Sequence, residues 1–121
     1  VVTVATPAAV FYVDAVSVAV TNVLTASTAT SDTTATFSIS SSNSTTPADF
    51  LDGLIDDVRV WKGTLRTPTE ISDNYQLQLN GNEAGLTAYW RLNNAYTDET
   101  ANGNTLTSSG SPVFSTDVPF T

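Results

Sequence analysis

The segment from Leu54 to Trp61, which reads LIDDVRVW, constrains the fold most, because its residues alternate as a β-strand requires. One face of such a strand carries Leu54, Asp56, Val58 and Val60, and the other carries Ile55, Asp57, Arg59 and Trp61. A carboxylate on an apolar face must be hydrogen-bonded, paired or metal-bound, since a bare one is costly to bury. We therefore expect Asp56 to have a specific partner, and Asp57 to pair with Arg59 in solvent.

Residues 67–70, which read TPTE, predict the start of a helix directly after this strand. Thr67 is a good N-cap, Pro68 suits the first helical position, and Glu70 completes a capping box. Apolar residues then recur every four positions, at Ile71, Tyr75 and Leu79, and Asn80-Gly81 supplies a left-handed stop. We expect one short helix near residues 68–79, with a structural role in covering an edge or a face of a sheet.

Most of the remaining chain is predicted to be sheet. Ser and Thr make up 34 of the 121 residues, and they suit strands and turns better than helices. Residues 1–40 are rich in Val, Thr and Ala and predict strands, whereas residues 41–49 predict a polar loop. Residues 98–104 predict a turn-rich, solvated loop. Short late strands are expected around Leu106, Val113, Phe114 and Phe120.

A further strand is predicted over residues 85–92, which read GLTAYWRL. Alternation places Leu86, Ala88, Trp90 and Leu92 on one face, and Thr87, Tyr89 and Arg91 on the other. Trp90 is expected in the core because it shares its face with aliphatic residues.

Charge and residue types exclude several functions. The formal net charge of -8 at pH 7 repels phosphate backbones and anionic lipids, so we expect no nucleic-acid partner. The absence of Cys, Met and His excludes thiol and imidazole nucleophiles, the usual zinc sites and disulfides. No apolar run is long enough to predict membrane insertion. The length predicts a single module over residues 1–121, and the start on Val rather than Met indicates a processed or cropped piece.

Three segments resemble one known family: FYVDAVSVA at residues 11–19, FLDGLIDDVRVWKGTLRTPTEI at 50–71, and GLTAYWRLNNAYTDETANGNTLTSSGSPVF at 85–114. Their order resembles the concanavalin A-like lectin/glucanase jelly roll of the laminin-G-like (LamG) type, across nearly all of residues 10–120. The resemblance implies an all-β, antiparallel jelly roll or β-sandwich with one short helix. The family often has Gly where this chain has Ala15, so we expect a type I′ turn there to be strained or replaced.

These segments resemble the C-terminal half of the family's domain, which implies an incomplete sandwich with an exposed sheet face. We therefore expect additional polypeptide or further copies of this chain to complete the core, with residues 1–9 as an edge or exchanged strand. The candidate assembly strand comprises Val1, Val2, Val4, Val10, Phe11 and Val13. The alternative is that this segment is an ordinary internal strand of its own domain.

The resemblance also implies the class of function. It indicates a non-catalytic structural or adhesive module that is extracellular or lies on a cell or particle surface. The alternative is a carbohydrate-binding module of a larger adhesin or secreted enzyme. Paired carboxylates are the only catalytic option that the composition leaves open, and Glu70, Glu83 and Glu99 lie in three different settings without forming such a pair. We expect no enzymatic activity.

Calcium is the one cofactor that the sequence brings into consideration. Jelly-roll relatives can hold a structural calcium ion with an Asp before a V-R-V-aromatic strand, and the resemblance assigns Asp56 to that position. The commoner alternative is a carboxylate that accepts backbone N–H bonds.

Sugar recognition usually needs exposed aromatic rings with polar side chains nearby. Trp61 is the best exposed candidate for glycan binding because it shares its predicted face with charged residues, and Tyr89 and Tyr96 follow. The alternative for a Trp in a strand is a place in the core.

Overall fold

The computed structural model describes residues 10–19, 37–42, 46 and 48–117. These residues form strands β1 (Phe11–Val13), β2 (Val16–Val18) and β3 (Val58–Trp61), helix α1 (Pro68–Asn74) and strand β4 (Leu86–Trp90). Both sheets are antiparallel and two-stranded, one formed by β1 and β2 and the other by β3 and β4. The prediction of an all-β chain with one short helix is confirmed.

The chain divides into two compact units. The first comprises residues 1–35 and 66–75, and its described part contains β1, β2 and α1, which lies against β2. The second comprises residues 36–65 and 76–121 and contains β3 and β4. A single module over residues 1–121 stays a prediction. No helix in the described part of the chain has the length and hydropathy needed to cross a bilayer.

The hairpin of the first unit turns at Asp14 and Ala15. Their φ angles are 49° and 62°, and positive values at both central residues define a type I′ turn. The turn is therefore retained rather than replaced, and Ala15 adopts a left-handed conformation that costs an L-residue about 1 kcal/mol relative to Gly. The register pairs Phe11 with Val18 and Val13 with Val16.

Helix α1 starts as predicted and ends earlier than predicted. The Thr67 hydroxyl accepts a hydrogen bond from the Glu70 backbone N–H at 3.2 Å, and Glu70 Oε2 accepts one from the Thr67 N–H at 2.8 Å. The expected extent of 68–79 is wrong, because the helix ends at Asn74, whose side-chain amide donates to the Glu70 carbonyl at 2.8 Å. Leu79 is instead a core residue of the second unit, and Asn80-Gly81 is not the helix stop.

Strand β3 is shorter than the alternation of residues 54–61 predicts. It begins at Val58, because Asp57 has a φ of 54°, which lies outside the extended region. Leu54 to Asp57 are therefore not strand, and the two-face pattern predicted for them does not apply.

Strand β4 contains a β-bulge that changes which residues share a face. Val60 pairs with Ala88 and Trp61 pairs with Leu86, so Thr87 has no opposite residue. The alternation is shifted by one at this point, and Leu86 packs with Tyr89 and Leu79 instead of lying on the face of Trp90. The prediction that Trp90 is a core residue is confirmed, since only 3% of it is exposed.

The late strands predicted after β4 do not form in the described residues. Leu92 has a φ of 59° and ends the extended stretch, and residues 91–117 contain turns and irregular backbone. Leu106, Val113 and Phe114 therefore belong to no sheet, and Phe120 lies outside the described residues.

Candidate functional site

Among the described residues of the second unit, the side chain of Tyr89 is fully buried and has no exposed surface. The guanidinium carbons of Arg59 and Arg91 lie 5.4 Å and 5.6 Å from its ring centroid. Arg91 donates to the Leu79 carbonyl at 2.8 Å, and Arg59 donates to the Leu77 carbonyl. Tyr89 therefore cannot stack on a sugar as expected, because two arginines and the core cover it.

Asp57 pairs with Arg59 as predicted, but away from solvent. Asp57 Oδ1 lies 3.4 Å from Arg59 Nη2, and the two side chains are only 8% and 14% exposed. The expectation of a solvated pair is wrong, because the positive φ of Asp57 redirects its side chain from the predicted strand face. Burial, followed by the effect of the Asp57 carboxylate, raises the pKa of the Tyr89 phenol.

Asp56 is half-buried, and its burial raises the pKa of its carboxyl group. Across the described residues, no three acidic side chains lie close enough together to hold a metal ion. Calcium at Asp56 stays a prediction.

The loop from Asp98 to Asn104 is mostly exposed and turn-rich, as expected, and hydrogen bonds also tie it to β4; we call this loop the clamp. Asp98 Oδ1 accepts backbone N–H bonds from Tyr89 and Thr100, at 3.0 and 2.9 Å, and Asp98 Oδ2 accepts one from Asn104 at 2.9 Å. Burial raises the pKa of Asp98, but the hydrogen bonds from Thr100, Tyr89 and Asn104 outweigh it and lower the pKa to about 2.

The carbonyl of the bulged residue Thr87 is the second anchor of this clamp. It accepts hydrogen bonds from the Thr100 hydroxyl at 3.3 Å and from the side-chain amides of Asn102 and Asn104 at 2.9 and 3.2 Å. The bulge thus supplies an acceptor, and the loop supplies three donors to it.

A cleft of about 380 Å³ opens beside Trp90. Its walls are formed by Phe37, Val60, Thr87, Ala88, Trp90, Asn104, Thr105 and Leu106. The rings of Phe37 and Trp90 stack with centroids 5.8 Å apart, and Phe37 is 60% exposed. The Trp90 indole donates to the Asn104 carbonyl at 2.7 Å, which ties the cleft to the clamp. An exposed ring beside amide and hydroxyl groups has the chemistry of a sugar-binding surface.

The other aromatic residues expected to bind glycans are less accessible. Trp61 is half-buried and packs against the core formed by Leu79, Leu86 and Tyr89. Tyr96 is half-buried, and its ring lies 4.9 Å from that of Phe114. Phe37, which the sequence analysis missed, is the exposed ring of the cleft.

A smaller cavity of about 180 Å³ is lined by Arg91, Leu92, Asn93, Ala95, Thr97 and Glu99. Glu99 is the acidic residue that lines this cavity, and its Oε2 lies 3.7 Å from Arg91 Nε, so it has a cationic partner.

One face of the β1–β2 hairpin is apolar and exposed. Phe11, Val13, Val16 and Val18 are 58%, 61%, 68% and 44% exposed, and cross-strand pairing places them on the same face. We call this set the hairpin face. Val10 precedes it and is 59% exposed, whereas Val1, Val2 and Val4 of the expected assembly strand lie outside the described residues.

A laminin-G-like family model, described as the concanavalin A-like lectin/glucanases superfamily, matches residues 1–72. The match covers more than half of the chain and includes the hairpin, β3 and the start of α1. The chain belongs to the concanavalin A-like lectin/glucanases superfamily. The expected resemblance spans residues 10–120, whereas the match covers residues 1–72 and ends before β4. It therefore supports the N-terminal part of the expected span. Neither the curated proteins nor the solved structures give a match.

Superfamily membership limits the function only coarsely, since the group includes both lectins and glucanases. The three glutamates are occupied by structural contacts: Glu70 caps α1, Glu83 accepts the N–H groups of Asn80 and Gly81, and Glu99 pairs with Arg91.

Proposed function

We propose that this chain is a non-catalytic structural or adhesive module that acts outside the cell or on a particle surface, and that it self-associates through the hairpin face. The observation that carries the proposal is the exposure of four apolar side chains on one face of a two-stranded sheet. A two-stranded sheet is marginally stable alone, and an uncovered apolar face favours association.

A second copy of the chain is the occupant that fits this face. Asp14, at the turn, is the only charged residue of the hairpin, so the face offers no charge for a charged partner to complement. Two copies related by a twofold axis would bury the same apolar set against itself. Burying a Val or Phe side chain contributes about 1.5–3 kcal/mol, and association costs roughly 4–15 kcal/mol. Each of the two copies would bury four half-exposed side chains. We therefore expect a reversible assembly that depends on concentration.

The absence of catalysis in this proposal rests on the roles of the acids. Glu70, Glu83 and Glu99 are each engaged in backbone capping or ion pairing. Glycosidases of this type need two acids that flank one bond, and this arrangement favours a binding or structural role.

A matched pair of substitutions in β2 tests the assembly. Val16 and Ser17 are adjacent and exposed, and they lie on opposite faces of the hairpin. Val16→Asp should weaken self-association at least tenfold, because a carboxylate on the hairpin face must be desolvated. Ser17→Asp introduces the same charge on the other face and should leave association unchanged. Equal effects, or no association in the native chain, would overturn the proposal.

The cleft beside Trp90 supports a second candidate, carbohydrate binding. Phe37 offers an exposed ring, and Asn104 and Thr105 offer polar groups at the same cleft. A panel of soluble neutral polysaccharides in affinity electrophoresis tests it. Phe37→Ala should abolish any retardation of the native chain, whereas Phe50→Ala, which removes another half-exposed ring, should not. Retardation that survives Phe37→Ala would contradict this use of the cleft.

A further inference from the structure

The sequence contains two Asn-Gly steps, Asn80-Gly81 and Asn102-Gly103, and the fold treats them differently. An Asn-Gly step can rearrange without any enzyme, because glycine has no side chain to shield its backbone nitrogen. In the described structure, the backbone nitrogen of Gly81 is hydrogen-bonded and buried, whereas Gly103 is exposed.

The first step is locked by Glu83. Its Oε1 accepts the Asn80 N–H at 2.8 Å, and its Oε2 accepts the Gly81 N–H at 3.0 Å. Gly81 is also buried, and a Cβ atom added there would lie 2.3 Å from the Glu99 carbonyl oxygen. The Gly81 nitrogen is therefore occupied and has no room to move.

The second step is open. Asn102 and Gly103 are exposed, and no atom lies within 4 Å of the position that a Gly103 Cβ would occupy. Within the described residues, the Gly103 N–H donates to no acceptor. The Asn102 amide is held by the Thr87 carbonyl at 2.9 Å, but Thr100 and Asn104 donate to the same carbonyl. Release of the Asn102 side chain therefore leaves that acceptor satisfied.

We propose that Asn102 is a site of spontaneous deamidation and that Asn80 is protected from it. The Gly103 nitrogen loses its proton to hydroxide and bonds to Asn102 Cγ, while the Cγ–Nδ2 bond breaks and the leaving nitrogen takes a proton from water to depart as ammonia. Water then adds to either carbonyl of the cyclic imide, which opens to aspartate or isoaspartate at position 102.

The product changes the clamp. An amide that donates to the Thr87 carbonyl becomes a carboxylate, which can only accept and which carries a charge near Asp98. The modified chain should consequently hold the loop from Asp98 to Asn104 less firmly, and the effect reaches the cleft because Asn104 lines it.

Peptide mapping by mass spectrometry after incubation of the folded chain in mildly alkaline buffer tests the proposal. The Asn102 peptide should lose its amide and give aspartate and isoaspartate forms, whereas the Asn80 peptide should remain intact. In a chain kept unfolded by denaturant, both peptides should react. Intact Asn102 in the folded chain, or equal reaction at both sites, would overturn the proposal.

Two variants test the physical reason for the difference. Asn102→Gln should abolish product at position 102, since the longer side chain closes a less favourable ring. Glu83→Ala should free the Gly81 N–H and make Asn80 reactive, with Trp fluorescence checking that the chain remains folded. If Glu83→Ala unfolds the chain, the comparison of the two peptides in the native protein still decides. Protection of Asn80 in a folded Glu83→Ala chain would contradict the role of Glu83.

Discussion

Asp98 Oδ1 lies 3.0 Å from the backbone nitrogen of Tyr89 and accepts its hydrogen bond. The Tyr89 carbonyl in turn accepts a bond from the Glu99 N–H at 2.8 Å, so the start of the loop occupies both polar groups that Tyr89 directs away from β3. An unpaired strand edge is open to pairing with another chain. The loop therefore covers this edge of β4.

The carboxylate of Asp98 should be a main stabiliser of the second unit. Asp98→Asn places an amide donor among the N–H groups of Tyr89, Thr100 and Asn104, and hydrogen bonds to a charged group contribute about 1.5–3 kcal/mol. We expect a loss of roughly 2–3 kcal/mol in the free energy of unfolding by urea. Asp52→Asn, at an exposed carboxyl, is the control and should be silent. Equal stability of the two variants would rule out the clamp.

Stability should depend on pH through the same carboxylate. The pKa of Asp98 is lowered to about 2 from an ordinary value of 3.8. The unfolded chain therefore takes up the proton first as the pH falls. Asp98 contributes about 2 kcal/mol to the free energy of unfolding. This contribution is fully present above the ordinary pKa of 3.8 and is lost as the pH falls towards 2.

Unfolding of the native chain and of Asp98→Asn at a series of pH values isolates this term. The difference in unfolding free energy should be constant above about pH 5 and shrink steadily towards pH 2, in line with the two pKa values. A difference that stays constant through this range would assign the stability to another group.

Ala15 in the hairpin turn offers a stabilising substitution. Ala15→Gly removes the steric cost of a φ of 62° and should stabilise the chain by up to about 0.6 kcal/mol, after the greater freedom of Gly in the unfolded chain is counted. Ala19→Gly, just beyond β2 and without a positive φ, should destabilise slightly or have no effect. Thermal unfolding measures both variants, and a lower Tm for Ala15→Gly would contradict the type I′ turn.

The capping box of α1 predicts the effect of Thr67→Ala. The substitution removes the hydroxyl that accepts the Glu70 N–H and should cost about 0.5–2 kcal/mol. Thr69→Ala, two residues later and exposed, removes the same type of side chain from the helix and leaves the cap intact. If urea unfolding gives the same midpoint for both variants, the cap contributes nothing.

Local signals in the sequence predicted local structure well. Thr67 and Glu70 lie three residues apart, and their capping box needs no distant partner, so the helix start was predictable. The end of α1 was not, because Leu79 continues the spacing of four but is taken by the core around Tyr89. Apolar periodicity alone cannot distinguish a residue that belongs to the helix from one that lies beyond its end and packs in another core.

The candidate sites depended on backbone features that alternation does not reveal. The positive φ of Asp57 withdraws its pair with Arg59 from solvent, and the bulge at Thr87 moves Leu86 to the face of Tyr89. Tyr89 consequently became a buried residue instead of a glycan ligand. Phe37 was missed because its place at the cleft depends on stacking with Trp90, more than fifty residues away in the chain.

Sedimentation equilibrium of the native chain over a range of protein concentrations tests self-association through the hairpin face most directly. The weight-average mass should rise above that of one chain as the concentration increases, and it should fall back to that of one chain on dilution. A mass equal to that of a single chain at every concentration would contradict the proposed assembly.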